Sequence, residues 1–403
     1  MISSKYLSWL RSALIYFLIA SILGAILRIA FVIEMPEFVR YKNVQHAHSH
    51  VAMMGWLTAA FYLCICYFFK LERKLYNQLF WILQACVLGM LISFLIQGYG
   101  MISIFFSSLH MIVLYVFTYA VFKDLKLRPK ESMGLPEKFL KTALFFLIVS
   151  TLGVWAMGPI MASSLRGSAL YYASVQFFLH FQFNGWFVFA LLAIMLKVLN
   201  TKNISFEIKD AHKFYWLLLI SCFFTYALAV TWSTPDQFLF WINSTGVLLQ
   251  LFALFYFVKI LIGISKSSKL TFEKWHFNLW GIAFLSLAFK MLIQTFVAIP
   301  YLATISYTIR NFVIGFVHLL MLGALSAFVF GLMRFLNIRV SRLGITIFLA
   351  AILLTELMLF GQGLLIWMRL GFIPYYYILI AVFSLLFPLG IGIILYNFRF
   401  DKI

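Results

Sequence analysis

His46-Ala47-His48-Ser49-His50-Val51-Ala52-Met53-Met54-Gly55 heads an apolar run that continues unbroken to Phe69. The stretch 46–69 is long enough to cross the hydrocarbon of a bilayer, which takes about twenty apolar residues. Outward from it, runs of the same kind fill 11–33, 79–98, 101–122, 139–161, 168–199, 213–232, 240–263, 276–298, 309–335, 344–368 and 374–397. They are continuously apolar and lack the period-two alternation of a strand, so helices are predicted rather than a barrel. The predicted fold is an all-α polytopic membrane protein of twelve transmembrane helices, a single integral membrane domain over residues 1–403.

Composition agrees. Hydrophobic residues make up 64% of the chain and charged ones only 11%. A soluble domain carries about a quarter charged residues, so water is not the main solvent. The formal charge of +19 does not point to nucleic acid, because the basic residues sit in short loops between apolar spans. Those loops fall into two sets. Lys70, Arg73 and Lys74, residues 123–141, 197–213 and 259–274, and Arg334, Arg339 and Arg342 form the rich set. Arg40, Lys42, Arg166, Arg310 and Arg369 form the poor one. The rich set and both termini are therefore expected in the cytoplasm of a bacterial-type inner membrane, the even helix count placing the two ends on one side. Lys5 and Arg11 precede the first run as in a signal peptide, but 12–33 is too long for one and lacks a small-residue cleavage site. Cys64, Cys66, Cys86 and Cys222 all lie in apolar runs, without zinc or covalent-haem spacing.

Six of the eight histidines fall inside spans. His46, His48 and His50 open the second helix; His110, His180 and His318 lie about nine to twelve residues into the fourth, sixth and tenth. At about 1.5 Å per residue, all occupy the outer half of the bilayer. Histidine in hydrocarbon is costly and normally partnered. His50-Val-Ala-Met-Met-Gly55 is echoed by His318-Leu-Leu-Met-Leu-Gly323. Two helices presenting a neutral imidazole at like depth have the arrangement that clamps a low-spin haem b from both faces. The alternative is a pair of histidines bonded to nearby carbonyls. His46 and His50 share a helical face and His48 points nearly opposite, so the three do not ligate one metal together. The echo favours His50, followed by His48. One of the three is expected to serve the haem and the others copper, a propionate or a proton; His110 and His180 are candidates for a second metal or ligand site. His212 and His276, at helix ends, read as solvated.

On these residues the chain resembles the haem-copper oxidase superfamily, specifically its twelve-helix catalytic subunit. That family holds low-spin haem by histidines of its second and tenth helices, matching His46, His48 or His50 and His318. The run His180-Phe-Gln-Phe-Asn184-Gly185-Trp186 resembles the nitric-oxide-reductase segment in which a histidine binds the non-haem metal; Asn184 stands in place of its glutamate. Phe316 occupies the position of the ligand to high-spin haem, and the seventh helix, read from Tyr215 to Trp232, carries no histidine. The resemblance thus implies an incomplete binuclear centre. A second resemblance, to the NnrS family linked to nitric oxide stress, rests on His46-Ala47-His48 and on His318 through Gly323-Ala324 to Met333-Arg334. Both imply redox chemistry or handling of a small gas such as NO or O2, with electrons from an external donor or a quinol.

Lys290 and Glu356 lie deep in the ninth and eleventh spans, where ionisable residues are functional candidates. They fit an ion pair, a proton route, or a secondary transporter as the competing function. Arg28, Arg40 and Arg310, near the outer helix ends, are suited to haem propionates or to interfacial anchoring. Gln182 and Asn184 beside His180 are suited to bonding a ligand or one another. A non-catalytic haem sensor is a third possibility.

The orientation is testable. A reporter active only in the cytoplasm should work when fused at the C-terminus or within 200–212 and fail beside Arg310 or Arg369. The reverse pattern would overturn it.

Overall fold

The computed structural model describes residues 3–129, 131, 133–204, 206–266 and 274–400. Lys130 and Lys269 of the basic loops, and the side chain of His276, lie outside the described residues. Twelve helices among them are long and apolar enough to cross a membrane. They are α1 (Ser4–Ile29), α2 (Tyr41–Phe68), α3 (Lys74–Gln97), α4 (Met101–Lys126), α5 (Leu135–Met161) and α6 (Ala169–Thr201), followed by α7 (Ile208–Thr231) and α8 (Gln237–Ser265). The last four are α9 (Lys274–Phe296), α10 (Arg310–Phe335), α11 (Arg342–Trp367) and α12 (Tyr376–Tyr396). A short helix, Pro300–Thr308, precedes α10, and β1 (Ile338–Arg339) pairs antiparallel with β2 (Arg399–Phe400).

All twelve predicted spans are present, and the differences lie at their polar ends. α1 begins ahead of residue 11 because Trp9 is held there: its indole N–H donates to Asn77 Oδ1 at 3.0 Å and its ring stacks on Phe80. α2 begins at Tyr41 rather than at His46. Its polar first turns stay helical because Asn43 is buried and donates to the Leu95 carbonyl at 3.2 Å, closing the end of α3. The three histidines therefore sit about one and a half to two and a half turns inside α2.

Contacts divide the chain into two units. Unit 1 comprises residues 1–123, 274–283 and 317–403; unit 2 comprises 124–273 and 284–316. In unit 1, α1 packs on α2 and α12, α12 on α11, and α2 on α3. At its centre the Phe17 ring stacks on Trp56 at 4.4 Å, and Phe330 and Phe348 close around them. Such stacked and edge-on aromatic packing adds to simple burial. The Trp56 indole N–H donates to Ser326 Oγ at 2.9 Å, a buried bond between α2 and α10. Ser326 in turn donates to the Met321 carbonyl at 2.8 Å.

In unit 2, α5 packs on α6, and α7 on α8. Phe146 stacks on Phe181 at 5.5 Å, and the Thr142 and Tyr215 hydroxyls meet at 2.7 Å. Ion pairs Lys197–Glu137 and Lys259–Asp210 tie helix ends beside the basic loops.

Ser326→Ala would leave the Trp56 indole N–H without an acceptor in a water-free core. An unmet buried donor costs about 1–3 kcal/mol. The expected outcome is a lower unfolding midpoint in detergent. An unchanged midpoint would show that the α2–α10 bond contributes nothing.

Candidate functional site

Each of α2, α6 and α10 contains one wide π-helical segment, Val51–Thr58, Phe181–Phe187 and Leu319–Ser326. The residue immediately before each is a histidine: His50, His180 and His318. The fifth residue after each histidine is glycine: Gly55, Gly185 and Gly323. A π turn adds a residue and rotates everything that follows it, and such turns concentrate at functional sites. In α2 and α10 a hydroxyl eight residues past the histidine donates to the carbonyl five residues back. These bonds are Thr58 Oγ1 to Met53 O at 2.9 Å and Ser326 Oγ to Met321 O. The sequence showed the α2–α10 echo; α6 is its third member, hidden there by the polar Gln182 and Asn184.

Five histidines with described side chains belong to unit 1: His46, His48, His50, His110 and His318. His48 Nδ1 lies 2.8 Å from the Ala20 carbonyl of α1. A carbonyl only accepts, so Nδ1 carries the proton and Nε2 keeps its lone pair. This is how a ligating histidine is fixed in orientation and tautomer. The ring fits because residue 24 is glycine: a Cβ there would stand 2.8 Å from His48 Cε1. His318 is partly buried, its Nδ1 has no partner among the described residues, and its electrostatic neighbours are Arg28 and His48. Whichever tautomer it takes, Nδ1 calls for a partner that the described residues do not supply.

His50 is placed differently. Its Nδ1 donates back to the His46 carbonyl at 2.9 Å, and Tyr99 Oη lies 3.3 Å from its Nε2. His46 packs edge-on to the same tyrosine at 4.5 Å. His110 is fully buried; neither ring nitrogen has a partner among the described residues, and His50 is its electrostatic neighbour. His46, His50 and Tyr99 form a second cluster of unit 1. Glu356 is also in this unit, with both carboxylate oxygens buried and unpartnered among the described residues; Arg28 is its electrostatic neighbour. Arg40 is exposed at the start of α2.

Unit 2 holds His180, Gln182, Asn184, Lys290 and Arg310. His180 Nε2 donates to the Cys222 carbonyl at 2.7 Å, next to an interruption of α7 at Thr225. Its Nδ1 lies 3.3 Å from Asn184 Nδ2. Lys290 Nζ donates to Asn184 Oδ1 and to Gln294 Oε1 at 2.9 Å. Gln182 Nε2 donates to Ser150 Oγ at 2.9 Å and so ties α6 to α5. Arg310 and His212 are exposed.

Haem and copper are tested separately against these residues. The unit 1 pair fits haem: His48 presents an oriented lone pair, His318 has an orphaned nitrogen, and a cationic Arg28 is near. Copper at His180 does not fit, because both nitrogens of that ring are already hydrogen-bonded. No group of three or more His, Cys, Asp and Glu side chains able to hold a metal ion occurs among the described residues. Sequence reasoning missed Ala20, Gly24, Tyr99, Gln294 and the Cys222 carbonyl. Only Gly24, a glycine in an otherwise apolar helix, left a signal.

No protein-family model matches the sequence, and no curated protein matches it. A solved structure does match: a chain of a haem-copper terminal oxidase dimer determined by cryo-EM, with a TM-score of 0.72 and 12% sequence identity. The match covers 98% of this chain and 84% of that one. The fold is therefore the twelve-helix bundle of a haem-copper oxidase subunit. At this identity the likeness carries the fold alone.

Gly24→Ala should force the His48 ring off the Ala20 carbonyl. Overpacking of this kind costs about 1–3 kcal/mol. Gly361→Ala, whose Cβ would meet only Ile373 Cδ1 at 3.8 Å, is the matched helical control. The expected outcome is a lower unfolding midpoint for the first and an equal or higher one for the second. Equal behaviour would show that the His48 seat is not tight.

Proposed function

We propose that this membrane protein binds a b-type haem between α2 and α10 of unit 1, which His48 and His318 would hold, and that it transfers electrons or handles a small gas, NO or O2. The observation that carries the reading is the His48 Nδ1–Ala20 bond, which aims the other nitrogen of His48 as a ligand in the unit that contains an under-bonded His318. Support for the chemistry comes from the fold shared with a terminal oxidase. His48 is preferred to His50 because the Nε2 of His50 already faces the Tyr99 hydroxyl.

When bound, a haem would supply a one-electron couple. The protein's part is to hold that haem and set its surroundings. The Ala20 carbonyl polarises His48 and raises its donor strength. Arg28 supplies positive charge near His318 and is suited to pair a propionate bidentately. Trp56 and Ser326, six and eight residues past His50 and His318 respectively, lock the two helices that carry the ligands. His110, buried with two unmet nitrogens, is the side chain of unit 1 best suited to bond a small polar guest or a water. Electrons would come from an external donor or a quinol. The basic loops face the cytoplasm in this reading, which puts the histidines toward the outer face.

Reduced-minus-oxidised absorption of the purified protein, with a pyridine haemochrome assay, tests this. One b-type haem is expected, lost in His48→Ala and His318→Ala and kept in His50→Ala and His180→Ala. A purified protein without haem at any occupancy overturns the reading; retention in His48→Ala with loss in His50→Ala reassigns the ligand.

A further inference from the structure

We infer that the polar site of unit 2 is a cation cage filled from within: its resident cation is the ammonium of Lys290, and it takes no metal ion. The inference stands apart from the haem assignment, which concerns unit 1.

Lys290 is only 3% exposed and lies in the apolar second half of α9. A lysine at such depth persists only where its hydrogens are met. Three elements meet them. Asn184 of the α6 π segment offers Oδ1, and Gln294, one turn further along α9, offers Oε1. Phe316, near the start of α10, presents its ring with the centroid 5.2 Å from Nζ. Two carbonyl dipoles and an aromatic face are the surroundings that hold an ammonium without a counter-anion. The carboxylates of unit 2 that pair with lysine, Glu137 and Asp210, are engaged with Lys197 and Lys259 at helix ends.

The hydrogen bonds around the cage all run in one sense. The Cys222 carbonyl accepts from His180 Nε2, so Nδ1 of that ring bears a lone pair. That lone pair accepts from Asn184 Nδ2, which turns Asn184 Oδ1 toward the ammonium. No lone pair of His180 is left over. A metal ion would have to break the Asn184 bond, beside a fixed positive charge. Both factors oppose it.

Two measurements on the full-length protein in detergent test this. The first exposes the protein to Cu(II), removes excess metal by desalting and counts copper by mass spectrometry. Wild type and His180→Ala should retain the same amount; a copper ion in wild type that His180→Ala removes overturns the inference. The second empties the cage with Lys290→Ala and follows thermal unfolding with ethylammonium chloride against sodium chloride. Ethylammonium should raise the midpoint of the variant by several degrees and leave wild type unchanged. No rise, or an equal rise in both, overturns the cage. If Lys290→Ala does not fold, the copper comparison alone decides, because it needs only wild type and His180→Ala.

Discussion

Hydrocarbon offers no hydrogen bonds, so every polar group in these twelve helices must find its partner within the chain or in something the chain holds. That constraint gives each histidine its meaning. A ring whose two nitrogens are both engaged by protein, such as His180, acts as a joint between helices. A ring with one nitrogen engaged, such as His48, is fixed in orientation with a lone pair on the other. Rings such as His110 and His318 keep nitrogens that no described residue meets. The residue type is the same in all four; the neighbouring carbonyl or amide makes the difference.

The π segments are where the constraint is relaxed locally. Widening a turn alters the i→i+4 pattern, and in α2 and α10 the Thr58 and Ser326 hydroxyls take up the carbonyl five residues back. The reward is geometric. The turn after His50 or His318 is rephased, so the histidine half of the helix and the tightly packed half each present their own face inward. In α10 the same hydroxyl also accepts the Trp56 indole bond, so the device that widens one helix fastens it to another. Position 188, the counterpart in α6, is valine. There the local work falls to Gln182, bonded to Ser150, and to Asn184 between His180 and Lys290.

Much of the fold was legible because burial in lipid leaves a one-dimensional trace: a long apolar run is a span, whatever it packs against. All twelve spans, and the placing of six histidines within them, follow from that trace. The start of α2 was not legible, since Tyr41, Lys42 and Asn43 look like loop until Asn43 meets the Leu95 carbonyl on another helix. The groups that set His48 apart from His50 were hidden for the same reason. The echo with His318 favours His50, while the Ala20 carbonyl, 28 residues from His48, and Tyr99, 49 residues from His50, are matters of tertiary packing. Lys290 and Glu356 are buried within α9 and α11, and their neighbours, Asn184 with Gln294 and Arg28, are matters of tertiary packing.

α2, α6 and α10 are each the second helix in a successive set of four, and each carries histidine, four residues, glycine and a π turn in the same order. One local device thus occurs three times in the chain with different surroundings. In α2 the two histidines nearest the turn bond to carbonyls through Nδ1, one to a neighbouring helix and one to its own. In α10 the histidine keeps an orphaned nitrogen. In α6 it is saturated, and a lysine from α9 brings the positive charge. Local sequence sets the turn and the depth of the imidazole. Whether that imidazole binds, waits or merely braces is decided by what the adjacent helix offers within about 3 Å, the reach of a hydrogen bond.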